Sequence, residues 1–139
     1  MIRKQDFYEG AALYLLACEG QIEQIRYQPP FFLLNGEVSV YLKYSTRGRS
    51  PWGFTFMPDE AITLKRKTAE AKVVIALVCG SDGVAALSYK ELDGVAPFED
   101  RPIRVACFRL FNEHYEIRGP KGIAKKKVPP SRWKRILIE

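Results

Sequence analysis

The sequence predicts a mixed α/β domain, a central β-sheet flanked by helices, carrying a basic C-terminal extension. Three observations lead there. Residues 37–44, EVSVYLKY, alternate with period two, as a strand with two different faces does. Residues 72–79, KVVIALVC, are apolar almost throughout and β-branched at their start, as a strand buried on both faces must be. Candidate helices and turn residues separate the strands, and that interleaving reads as a mixed sheet domain.

Each element has a local reason. Asp6 with Glu9 three residues on is a capping-box variant, so a helix is expected over residues 7–19, ended by Gly20. Residues 22–28 alternate weakly, and Pro29-Pro30 breaks any ladder. The apolar run Phe31-Phe32-Leu33-Leu34 leads into Asn35-Gly36, both tolerant of positive φ, and on into the strand 37–44. This is a hairpin with Val38, Val40 and Leu42 on one face and Ser39, Tyr41 and Lys43 on the other. A polar loop follows, then a short strand over 52–56. Pro58-Asp59-Glu60 opens a second helix running towards Ala71, with acids at the positive end of its dipole and Lys65-Arg66-Lys67 near the other end. After the strand 72–79, Gly80 to Gly83 turns the chain and residues 84–87 return. Ser88 and Glu91 have capping-box spacing, so a short helix or turn ending at Gly94 is expected. Residues 103–111 and 115–117 read as a final strand pair turning at Asn112-Glu113-His114.

The chain has 139 residues, enough for one domain, and is 47% hydrophobic and 27% charged, which permits a folded core and argues against global disorder. No apolar run approaches a membrane span, and the N-terminal residues lack the apolar centre of a signal peptide. A cytoplasmic protein with no membrane partner is the expectation. Cys18, Cys79 and Cys107 are widely spaced without a CxxC pair, and His114 is the only histidine, so neither a zinc site nor a Ser-His-Asp triad is expected. Cys79 and Cys107 lie in apolar runs and read as core. The glycines do not form a phosphate loop, and no nucleophile elbow or dinucleotide fingerprint is present.

Charge is the strongest functional signal. The net charge is +6, yet residues 1–117 carry −1 and residues 118–139 carry +7. A division follows: a single α/β domain over 1–117 and a basic arm or tail over 118–139. The tail offers Lys125, Lys126, Lys127, Arg132, Lys134 and Arg135 to a polyanion, or simply to solvent. Between Val38 and Pro58 there is no acid, so Lys43, Arg47 and Arg49 are locally uncompensated, with Trp52 beside them. Basic residues next to an aromatic suit nucleic acid, where charge meets phosphate and a ring stacks on a base. Trp52 also reads as core, since Trp52, Phe54 and Phe56 share one strand face.

A helix with an early Glu, a hairpin strand ending in Lys, a helix and a strand occur here in the order that resembles the PD-(D/E)XK nucleases, the restriction-endonuclease-like superfamily that includes Holliday-junction resolvases. The resemblance covers residues 6–79. It implies a restriction-endonuclease-like core, with Lys43 as the lysine of the E-x-K strand and Glu9 as the first-helix acid. In the family, acids hold magnesium and the lysine polarises the attacking water. Here Phe32 and Tyr41 stand where the two essential acids are expected. Glu37 lies four residues from Tyr41, ~13 Å along an extended strand, too far to replace a ligand in place. LKYSTRGRSPWGFTF followed by VVIALVCGSDGV is also similar to a group of bacterial proteins to which no activity is assigned.

The resemblance and the charges together imply a nucleic-acid-binding protein of nuclease-like fold with a degenerate metal site and no cofactor. Two alternatives stand beside it. One is an active magnesium-dependent nuclease using Glu9, Lys43 and a migrated acid such as Glu37 or Asp59. The other is a protein-interaction module or homo-oligomer subunit with Tyr41 and Phe32 in an apolar contact patch.

Overall fold

The computed structural model describes residues 1–138. Its elements are α1 (Lys4–Ala17), β1 (Ile25–Gln28), β2 (Phe31–Leu34), β3 (Val38–Ser45), β4 (Trp52–Phe56), α2 (Pro58–Thr68), β5 (Lys72–Cys79), β6 (Gly83–Ser88), α3 (Tyr89–Val95), β7 (Ile103–Phe108), β8 (Glu116–Gly119) and β9 (Gly122–Ile123), followed by a 3₁₀ helix (Pro130–Arg135). The α/β class holds, but the strands divide between two sheets. One is five-stranded, in the order β1-β2-β3-β5-β6; the other is four-stranded, β4-β7-β8-β9.

The five-stranded sheet is the organising layer. β1, β2 and β3 form an antiparallel meander; β5 then joins β3 in parallel, with Tyr41 opposite Ile75 and Lys43 opposite Leu77. Parallel strands need a crossover, supplied here by β4 and α2. The period-two pattern of β3 now has a cause on each side. Val38, Val40 and Leu42 join Val74, Ala76 and Val78 beneath α1 and the 3₁₀ helix, with Ala12, Leu16, Trp133 and Ile136. On the other face, Tyr41, Val73, Ile75 and Leu77 pack with α2, α3 and the inner face of the second sheet. Burying a side chain such as Ile75 or Leu77 fully is worth about 1.5–3 kcal/mol.

Asn35 (φ 53°) and Gly36 (φ 67°) both take positive φ at the hairpin turn. The Asn35 side chain also accepts from the backbone N–H of Glu23 (2.8 Å) and Gln24 (3.1 Å) and donates to Gln21 O (2.8 Å). That clamp shapes the chain before β1, so the strand expected from residue 22 begins at Ile25. Pro29-Pro30 forms the β1–β2 turn, between the paired Gln28 and Phe31. Asp6 is the third residue of α1 rather than its cap, and its carboxylate accepts from Arg3 N (2.9 Å).

The basic C-terminal segment is built into the body. β8 spans Glu116–Gly119, Val128 bridges to Tyr115, and Trp133 is 1% exposed with its Nε1 donating to Ala12 O (2.9 Å). Cys79 and Cys107 are buried core residues, and Cys18 is exposed at the C-terminal cap of α1. Among the described residues no helix is long and apolar enough to cross a membrane.

Candidate functional site

A cleft of about 420 Å³ opens where α1, β3, β4 and the start of α2 meet, lined by Gln5, Glu9, Tyr41, Lys43, Tyr44, Thr55 and Glu60 among others. Each wall follows from local structure. Glu9 sits one turn along α1 from Gln5. Tyr41 and Lys43 occupy the face of β3 turned towards the second sheet. Gly53 and Thr55 are the outward residues of β4, since Trp52, Phe54 and Phe56 point into the core. Glu60 is the third residue of α2, and there its side chain turns back to accept from Met57 N (2.7 Å).

That capping position also delivers Glu60 to β3. Its Oε1 accepts from Lys43 Nζ at 2.6 Å and from the Tyr41 hydroxyl at 2.5 Å. The ion pair is largely shielded, with side-chain exposures of 18% and 21%, and the Lys43 ammonium lies 4.8 Å from the Phe56 ring centroid. Burial works to raise the Glu60 pKa, but hydrogen bonds from Lys43, Met57 N and Tyr41 outweigh it and hold the carboxyl below its usual 4.5. Tyr41 is pushed far above its usual value by burial first, then by its bond to Glu60 and the negative charges of Glu60, Asp59 and Glu9. It therefore remains a protonated donor. Burial also raises the Glu9 carboxyl, against a hydrogen bond from Gln5.

Glu9 and Lys43, the two residues singled out by the resemblance, thus share one cleft. The acids proposed to migrate do not join them: Glu37 stays at the hairpin turn and Asp59 is exposed on α2, outside the lining. Glu60, one residue beyond Asp59, takes that place. It also corrects the view of Lys43 as uncompensated, because the compensating acid lies 17 residues away in sequence. The Tyr41–Phe32 patch does not form. Phe31 is the β2 aromatic against Tyr41, with ring centroids 5.6 Å apart, whereas Phe32 packs on the opposite core with Tyr27.

The remaining basic residues are dispersed. Arg47 and Arg49 are exposed on the β3–β4 loop, outside the cleft lining. Trp52 is 3% exposed, its Nε1 donating to Arg47 O (2.9 Å) and its ring edge-on to Tyr115, so it is core and offers no stacking face. In the basic segment Lys127 pairs with Glu113 (3.2 Å), Arg132 with Glu91 (2.9 Å) and Lys134 with Glu19 (3.7 Å). Lys125, Lys126 and Arg135 are exposed. Among the described residues, at least Lys127, Arg132 and Lys134 of the tail cations named above are therefore already matched by carboxylates.

A divalent cation in this cleft would draw on Glu9 and Glu60. Glu60 is committed to three donors, Tyr41 holds a proton, and no group of three His, Cys, Asp or Glu residues suited to a metal ion gathers among the described residues. The donor set does not fit a magnesium site of the nuclease kind. No protein-family model, curated protein or solved structure matches the chain.

Proposed function

We propose that the protein binds nucleic acid through a nuclease-like core without metal-dependent cleavage. One observation carries the reading: Glu9 and Lys43, 34 positions apart in the sequence, line the same cleft. The element order supports it too, with a helix, a three-stranded meander, a helix and a strand parallel to the third. Arg47 and Arg49 on the adjoining loop supply cations without ion pairs among the described residues. Tyr41 in place of an acid and the saturation of Glu60 favour binding over hydrolysis. A mobility-shift and cleavage panel on branched, single- and double-stranded DNA and RNA, with and without Mg²⁺ or Mn²⁺, tests the reading. Binding that weakens with salt and leaves the strands intact is expected. Silence in every lane overturns it. So does metal-dependent cleavage that Lys43→Ala abolishes, which would make the protein a nuclease.

Self-association is a second reading, favoured by the outer face of α1. Phe7 (64% exposed) and Tyr14 (69%) flank exposed Gly10 and Ala11 at the middle of the helix. An antiparallel pair of such helices would set Phe7 against the Tyr14 of a second copy. Sedimentation of the wild type beside Phe7→Glu tests it: a dimer that the substitution dissociates is expected, and a wild-type monomer removes the reading.

A further inference from the structure

The four-stranded sheet has one face in the core and one in solvent. Its outward residues follow from the register: Gly53 opposite Ala106, Thr55 opposite Arg104, and Ala106 opposite Arg118 on the next strand. Arg104 stands out on this face. It is exposed and forms no ion pair or hydrogen bond among the described residues, whereas Arg101, Arg109 and Arg118 are paired to Glu99, Asp82 and Glu116. Its guanidinium lies across Gly53, where an added Cβ would fall 2.1 Å from its Nη2. A glycine inside a strand forgoes packing, and close approach by another group is a recognised reason for one.

Gly53 and Thr55 also line the Lys43–Glu60 cleft, so the unpaired guanidinium is held at that cleft's rim. On its other side Arg104 and Lys121 border a second depression of about 480 Å³. Beyond Ala106, the Arg118 guanidinium stacks on the Phe108 ring at 4.0 Å. Around this face Arg101, Arg104, Arg118 and Lys121 stand against two carboxylates, Glu99 and Glu116. The face therefore presents an excess of positive charge, a planar cation and a small-residue centre beside the cleft.

We propose that this open sheet face is the track along which a nucleic-acid strand reaches the cleft, with Arg104 gripping a backbone phosphate. A guanidinium suits that task because it meets phosphate oxygens with two parallel N–H bonds. This rests on the nucleic-acid reading above and adds the path of the strand and its anchor.

Fluorescence anisotropy of labelled single-stranded DNA and RNA oligonucleotides against the full chain tests it, across a salt series. Arg104→Ala is expected to weaken binding about tenfold, the loss of one charge-assisted contact. It should also lower the slope of log K against log salt by about 0.7, the share of one phosphate on a single strand. Arg104→Lys should keep the slope and recover part of the affinity. Gly53→Val keeps every charge and should weaken binding by displacing the guanidinium. Arg26→Ala, an exposed cation on β1, should change neither quantity beyond its general charge. Wild-type binding undiminished by Arg104→Ala and Gly53→Val overturns the track and leaves the nucleic-acid reading standing. Wild-type silence overturns both. A polyglutamate peptide that binds as tightly, and depends equally on Arg104, overturns the track in favour of an acidic-peptide site.

Discussion

The two sheets solve different burial problems with the same building blocks. In the five-stranded sheet, β3 and β5 are covered on both sides, and β5 is buried at every position after Lys72. In the four-stranded sheet, β4 and β7 alternate between buried and open positions. A strand between two cores must be apolar throughout, whereas a strand with one wet face needs only every second residue. The first sheet therefore contributes to both cores, whereas the second contributes to one and leaves its other face open.

Substitutions test that division, and the largest effect belongs to the doubly covered sheet. Trp133→Ala removes the side chain that seals α1 onto this sheet and is expected to cost about 3–5 kcal/mol, read from the urea midpoint. A loss below about 1 kcal/mol would show that the 3₁₀ helix is not part of the core.

Next in size is the junction of the two sheets. Lys43→Ala strips Glu60 of its cation and should cost about 1–2 kcal/mol, discounted for partial exposure. Its signature is pH. A carboxyl held below its ordinary 4.5 adds stability above that value and loses it as pH falls through the lower folded pKa. Removing Lys43 raises the folded pKa, so denaturation curves from about pH 6 to pH 3 should show the variant losing stability less steeply than the wild type. An unchanged pH dependence would mean that the pair adds nothing to the fold.

Ser39 reverses the sign. Its hydroxyl is fully buried and without a hydrogen-bond partner among the described residues. Ser39→Ala should be neutral or stabilise by about 1 kcal/mol, since an unsatisfied buried polar group carries a desolvation cost. Marked destabilisation would reveal a partner for that oxygen. The smallest effect is expected on the open face, where Arg118→Ala should change stability by less than about 0.5 kcal/mol. A larger loss there would erase the contrast between the sheets.

The same contrast explains what the sequence made legible. The continuous run 72–79 matches β5 residue for residue, and the alternation of 52–56 matches β4. The assignment of strands to two sheets was not legible, because alternation reports one buried face without naming what covers it. Lys43 and Glu9 were reachable through the order of elements. Glu60 was not, since Asp59 and Glu60 both satisfy the first-turn preference of α2. Only the back-turned direction of the third helical position separates them, aiming Glu60 at β3 while Asp59 faces solvent. Trp133 lay hidden among lysines and prolines, where local charge masked a residue with a long-range partner.

The bond from Trp133 to Ala12 closes a loop of 121 positions. Such a contact makes folding slow to complete, because loop-closure entropy must be met before the contact returns anything. It also orders events during synthesis. α1 is made early, but the apolar face it shares with β3, β5 and β6 lacks its seal until Trp133 and Ile136 have emerged. A nascent chain halted before that point exposes this surface to whatever chaperone or aggregate it meets first.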